Sequence, residues 1–312
     1  MQWFSGKSSG ETTEQKIKKL PSAPSGGRVV GVFPSLLVLW ILLSTSVCAM
    51  QPASWEHRLQ GRALVFMGER HDNPEHHRLR WQVLRRALEA GWRPAIVMEQ
   101  LDQNRQMQID QARQARPRDA QYLIDQATQG APGWDWDDYR PFIALALDYD
   151  LPLMGANLSN PEASKVVRLG FEAVFDTKTQ QALGLFRPMD AAWQAAQAQE
   201  IQWGHCNALP ERLIPAMVRA QSARDALMAS IVLKVADQGV VLIAGNGHVR
   251  KDLGVPRWLD ESLKSRLLTV GYLEEEDKGS MALAFDEAVV TVSAVREDPC
   301  KAFLKKHPPA PG

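Results

Sequence analysis

Residues 63–77 read ALVFMGERHDNPEHH, and this stretch decides the fold. An apolar run at 63–67 stops on Gly68, and a carboxylate and an imidazole follow at once as Glu69 and His71. Asp72-Asn73-Pro74 then has the form of a helix start, an Asx N-cap with proline in the first helical position. The unit reads as strand, loop and helix, with ionisable groups at the carboxyl end of the strand. In open α/β sheets that end is where ligands bind.

A second stretch mirrors it. Residues 239–248, GVVLIAGNGH, are again an apolar, β-branched run that ends in glycine-punctuated loop and a histidine. Both runs close with Gly-x-x-His, Gly68 to His71 and Gly245 to His248. If both strands lie in one parallel sheet, their ends share a rim and the two histidines converge.

The rest of the chain fills in around these runs. A helix at 74–90 carries Leu79, Val83, Leu84, Ala87 and Leu88 at helical spacing, and Gly91 closes it. A strand at 95–98 ends on Glu99, and a strand at 151–156 closes on Asn157. A helix is expected at 141–149, a short one at 255–263, and late strands at 267–272 and 289–295. Residues 160–238 read as largely helical, with a long amphipathic helix at 210–236 kinked at Pro215. Strands alternating with helices give an α/β fold with a central, mostly parallel sheet flanked by helices. The block 160–238 is expected to form a helical lid over the strand C-terminal ends. One domain is expected over 51–300, with a loose tail at 301–312.

Composition narrows the function. The 312 residues are 45% hydrophobic, enough to bury a large core, and 36 basic residues balance 36 acidic ones. No basic stripe points to nucleic acid. Residues 29–50 carry no charge and follow Lys16, Lys18, Lys19 and Arg28, the form of a leader with a secretory signal. Val47-Cys48-Ala49 fits a cleavage site. Lipidation at Cys48 is an alternative, and a retained anchor is a third. Without residues 1–49, 31 basic and 34 acidic residues remain, a net charge of −3. Every version delivers the domain across a membrane. Cys206 and Cys300 pair in one reading and stay as two thiols in the other.

Glu69, His71, Glu99 and His248 come from three strand ends. Such a set can hold a divalent metal, act as a general base oriented by a carboxylate, or hydrogen-bond a ligand. The plainer reading is that the glutamates cap helix N-termini. Of His76 and His77, adjacent on a helix, one is expected to face the rim, with His76 favoured. Tyr139 follows Trp134 and Trp136 and precedes Arg140, so a flat apolar ligand can stack there while the guanidinium meets its carboxylates. Tyrosinate is a haem-iron ligand, which makes Tyr139 the first candidate and Tyr149 the second. Core tryptophans pinning a helix entry explain the same segment without a ligand.

GERHDNPEHH, VMEQ, WDWDDYRP, GANL, MVRAQSARDALMA and AGNGHVRKDLGVP, in that order, resemble the ChaN-type haem-binding lipoproteins. The resemblance spans about 63–259. That family stands in a wider group with erythromycin esterases and Tiki metalloproteases. The resemblance implies an exported haem binder, periplasmic or attached to the outer membrane, that works with the outer-membrane haem uptake machinery. It implies haem held by a tyrosine, cofacially across a homodimer. On this reading Tyr139 takes the iron, Arg140 and Arg224 lie near the propionates, and His71 or His248 hydrogen-bonds. The alternative is a hydrolase in which Glu69, His71, Glu99 and His248 activate water directly or through a metal.

Overall fold

The computed structural model describes residues 55–59, 64–129, 133–277, 279 and 281–306. The expected leader with Cys48, the first residue of the opening run (Ala63) and the end of the tail from His307 lie outside the described residues. Six strands form one sheet: β1 (Leu64–Met67), β2 (Ala95–Asp102), β3 (Leu153–Asn157), β4 (Val240–Ile243), β5 (Leu267–Glu274) and β6 (Glu287–Thr291). Their order is β3-β2-β4-β1-β5-β6, and every neighbouring pair is parallel. β1 and β4 are the continuous apolar runs LVFM and VVLI, buried at every position, as strands covered on both faces must be.

The helices are α1 (Pro74–Glu89), α2 (Gln106–Ala115), α3 (Ala120–Thr128), α4 (Trp136–Asp148), α5 (Asn160–Leu169), α6 (Thr177–Ala182), α7 (Ala191–Gly204), α8 (Ile214–Val235), α9 (Asn246–Val249), α10 (Glu261–Lys264) and α11 (Pro299–Lys306). Alternation along β1 splits them into two layers. Val65 and Met67 pack with α1, α3 and α4, whereas Leu64 and Phe66 pack with α5 and α8. The chain therefore leaves β1 towards one face of the sheet and returns to β4, its neighbour, from the other. That reversal is the topological switch point, where an α/β sheet opens a crevice at its strand ends.

Local chemistry fixes the boundaries. Asn73 caps α1 by accepting from the Glu75 and His76 amides, and Gly91 at φ 99° takes the left-handed turn beyond it. β2 does not stop before Glu99 but runs on to Asp102, with its register to β3 slipping between Met98 and Asp102. α4 begins at Trp136 rather than Pro141, because the Asp135 side chain caps it. Pro215 lies in the first turn of α8, preceded by a separate 3-10 turn (Glu211–Leu213), so no kink forms there. The region 255–263 splits into a 3-10 turn (Val255–Trp258) and α10, capped by Asp260. The last strand ends at Thr291 instead of 295.

The long helix of the expected lid is not a lid. α8 lies along the face of β2, β3 and β4, where Ala220, Ala223 and Met228 are buried in the core. Its small residues let it sit close to the sheet. α7 packs on α8 and is tied to the chain that follows β4. Trp193 Nε1 donates to the Leu253 carbonyl (3.4 Å), and Glu200 pairs with Arg250 (2.6 Å). Cys206 and Cys300 are joined in a disulfide, which settles the pairing that the sequence left open. His205 beside it is buried and bonds the Ile201 carbonyl through Nδ1.

Candidate functional site

Register brings the site together. Met67 and Met98 both stand opposite Ile243, so the ends of β1 and β4 lie level with Met98 of β2, one residue before Glu99. Glu69, Glu99 and the loop after Ile243 must then meet just above that level. The Asn246 amide donates to the Glu69 carbonyl (2.9 Å), and the Gly245 amide donates to Glu99 Oε2 (2.7 Å). Gly245 is needed for space, since a Cβ there would stand 2.7 Å from His71 Nε2.

Around Glu69 the polar groups are dense. His71 Nδ1 lies 2.8 Å from Glu69 Oε1, and the Tyr139 hydroxyl donates to the same oxygen at 2.7 Å. Arg80, fully buried, forms an ion pair with Glu69 Oε2 and donates to the Met67 carbonyl (3.2 Å). His77 Nε2 reaches the His71 carbonyl (2.9 Å), which only accepts, so its proton is on Nε2. The Nδ1 of His77 then accepts from Arg80 (3.1 Å). Trp134 packs edge-on against His71 with centroids 4.9 Å apart. Burial drives the His71 pKa down to about 3, against the pull of Glu99. His71 is therefore a neutral imidazole with its proton on Nδ1, facing Glu69, and a lone pair on Nε2 towards Gly245 and Glu99.

His248 is the opposite case. Its Nδ1 lies 2.5 Å from Asp225 Oδ1 and its Nε2 lies 3.3 Å from Glu99 Oε1. Burial pulls its pKa down, but Glu99 and Asp225 outweigh that and raise it to about 9. Glu99 follows the same logic with the sign reversed. Burial pushes its carboxyl up, yet His248, His71 and the Gly245 amide hold it well below the usual carboxylate range. Two histidines pushed apart by their surroundings and meeting on one carboxylate form an acid and a base poised side by side.

All four strand-end residues, Glu69, His71, Glu99 and His248, are thus brought together. Arg80, Asp225 and Gln221 join them, although sequence reasoning did not single them out. Contrary to expectation, both His76 and His77 are buried: His76 turns away to Thr291 (2.9 Å), and His77 enters the site. Three other candidates fall outside. Tyr149 follows the far end of α4, about 15 Å along the helix from Tyr139, with Arg93 over its ring. Arg140 is exposed and paired with Asp137 at 2.8 Å. Arg224 binds the Leu158 carbonyl and Asn160 (both 2.8 Å) and the Asn157 side chain, which ties α8 to the end of β3.

The fold is thus a parallel α/β sheet with paired acids and imidazoles at its switch point. The chain belongs to the family described as "Haem-binding uptake, Tiki superfamily, ChaN", whose sequence profile matches residues 55–259. Among solved structures it is similar to ChaN of Campylobacter jejuni, described as cofacial heme binding. That chain is 19% identical, with a TM-score of 0.56, and the match covers 70% of this chain and 84% of that one. An erythromycin esterase mutant in its open conformation matches at 13% identity and a TM-score of 0.42, covering 80% and 81%. No curated protein matches.

Haem iron and a bare metal ion make different demands on this donor set. Tyr139 does not fit as an axial ligand where it stands. It is 1% exposed, its hydroxyl is committed to Glu69, and its ring is enclosed by His77, Trp134 and Trp136. Burial also pushes its phenol well above the ordinary value of 10, opposing tyrosinate. A divalent ion fares no better, for among the described residues no group of three or more His, Cys, Asp or Glu is arranged to hold a metal.

Proposed function

We propose that this protein binds haem and serves haem uptake. The observation that carries the reading is the family match over 55–259, a span that includes every residue of the switch-point cluster. The cofacial haem of the C. jejuni relative supports a homodimer in which each protomer brings one haem. The Cys206–Cys300 disulfide supports export, since such bonds persist in oxidising compartments. The protein then works in the periplasm or at the outer membrane, free or lipidated at Cys48, beside the uptake machinery. On this reading Tyr139 anchors Glu69 and His71, and the iron takes its ligand from outside the polar cluster. Titrating the purified protein with hemin tests it. A saturable Soret band distinct from free hemin is expected, and Tyr139→Phe is expected to keep it. No band at stoichiometric hemin would overturn the reading.

A second reading, hydrolysis, is favoured by the two histidines. Neutral His71, oriented by Glu69, has the lone pair that a general base needs, and the His248 imidazolium can protonate a leaving group. Turnover of simple esters that is lost in His71→Ala would support it. An inert wild-type protein across esters and peptides would exclude it.

A further inference from the structure

Three exposed arginines each stand next to an exposed apolar residue: Arg168 and Leu169 at the end of α5, Phe186 and Arg187 between α6 and α7, and Arg212 and Leu213 in the 3-10 turn before α8. Leu169, Phe186 and Leu213 are 63%, 58% and 38% exposed. Scattered singly, such side chains need no cause, but these gather around one opening. A cavity of about 500 Å³ between α7, α8 and the turn at Val255–Trp258 has Phe171, Leu185, Arg187, Ile214 and Arg219 among its walls. Each pair contributes to that lining or lies within two residues of it.

The charge of this face is its own. Arg219, also exposed, adds a fourth cation, and none of the four has a carboxylate partner among the described residues. Other arginines of this region are spent in ion pairs, Arg250 with Glu200 and Arg257 with Asp190. Two exposed acids, Glu172 and Glu211, stand beside the pairs, so four cations face two acids and the balance is positive. The chain without residues 1–49 carries a net −3, which makes that balance local.

The face also has a fixed place in the fold. α8 runs against the direction of the strands, and its Gln221 and Asp225 reach His248 at the strand ends. The helix begins at Ile214, so its first turns project about 10 Å beyond that contact, on the side where the switch-point crevice opens.

We propose that this face docks on a lipid bilayer rich in anionic phospholipid. Leu169, Phe186 and Leu213 enter the head-group layer, and the guanidinium groups of Arg168, Arg187, Arg212 and Arg219 meet phosphates. Cations alone would suit an acidic protein equally; an apolar side chain beside three of them selects the bilayer. The contact is made by the folded domain, separate from any attachment at Cys48, and it does not depend on haem.

The test is hydrogen–deuterium exchange of the full protein, read by mass spectrometry, with two kinds of vesicle. One is phosphatidylcholine alone, and the other is phosphatidylcholine with an equal part of phosphatidylglycerol. Residues 29–50 are uncharged and apolar and can bind vesicles themselves, so protection is read segment by segment. Slower exchange over 167–171, 184–190 and 210–219 is expected with the phosphatidylglycerol vesicles and not with phosphatidylcholine alone. Arg187→Gln/Arg212→Gln/Arg219→Gln is expected to need about tenfold more vesicle for the same protection. All three arginines are exposed, so this variant is expected to keep its circular dichroism. Phe186→Ser/Leu213→Ser is expected to weaken the protection as well. Protection confined to other segments, equal protection by both vesicles, or undiminished protection in the arginine variant overturns the proposal. A hemin titration without vesicles is untouched by such a failure and leaves haem uptake standing.

Discussion

His71 and His248 share one carboxylate: Glu99 Oε2 lies 3.9 Å from Nε2 of the first, and Glu99 Oε1 lies 3.3 Å from Nε2 of the second. One imidazole is neutral and the other charged because Asp225 stands behind His248, whereas the Glu69 beside His71 is already engaged by Arg80 and Tyr139.

This asymmetry predicts the pH dependence of stability. His248 has a folded pKa of about 9 against 6.5 unfolded, so its contribution is full below pH 6.5 and is lost as pH rises through 9. His71 at about 3 and His76 at about 4 are lowered, so stability falls as pH drops from 6.5 towards those values. Thermal melts from pH 3 to 10 should peak near pH 6.5. A flat profile between 6.5 and 9 would show that His248 is not held as an imidazolium.

Asp225→Asn should lower the His248 pKa and destabilise the fold by about 3–5 kcal/mol, the cost of removing one partner from a buried ion pair. Denaturant unfolding and NMR titration of the imidazole check both. An unchanged His248 titration would remove Asp225 from its role.

Gly245→Ala should push the His71 ring aside, since the added methyl has 2.7 Å to Nε2 and the neighbouring Glu99 is fixed by the Gly245 amide. A loss of about 1–3 kcal/mol is expected, together with a shifted His71 resonance. Wild-type stability and spectrum in this variant would mean that the rim is looser than described.

The disulfide spans 94 residues in sequence and joins the loop after α7 to α11. Cys206→Ser/Cys300→Ser should cost about 3–5 kcal/mol by freeing the unfolded chain. Unfolding midpoints with and without reductant measure it, and equal midpoints would deny the bond a stabilising role.

The parts of the fold legible in the sequence were those where burial writes itself into composition. β1 and β4, covered on both faces, are unbroken apolar runs, and their Gly-x-x-His endings place His71 and His248 at the rim. Asp225 and Arg80 were illegible for a physical reason. A charged residue on a helix reads as solvated, and only the partner across the fold makes it buriable. Tyr139 reads in the sequence as a haem ligand on a stacking surface. Its aromatic neighbours suggested an open stacking surface, but they enclose the ring and leave its hydroxyl to Glu69. The α8 alanines carry no sign of which surface they cover, so a helix that packs on the sheet reads in the sequence as part of a lid.

Haem binding is read from absorption spectroscopy of the purified protein during a hemin titration. A Soret band that grows to saturation and persists in Tyr139→Phe is expected. A spectrum that remains that of free hemin throughout would contradict it.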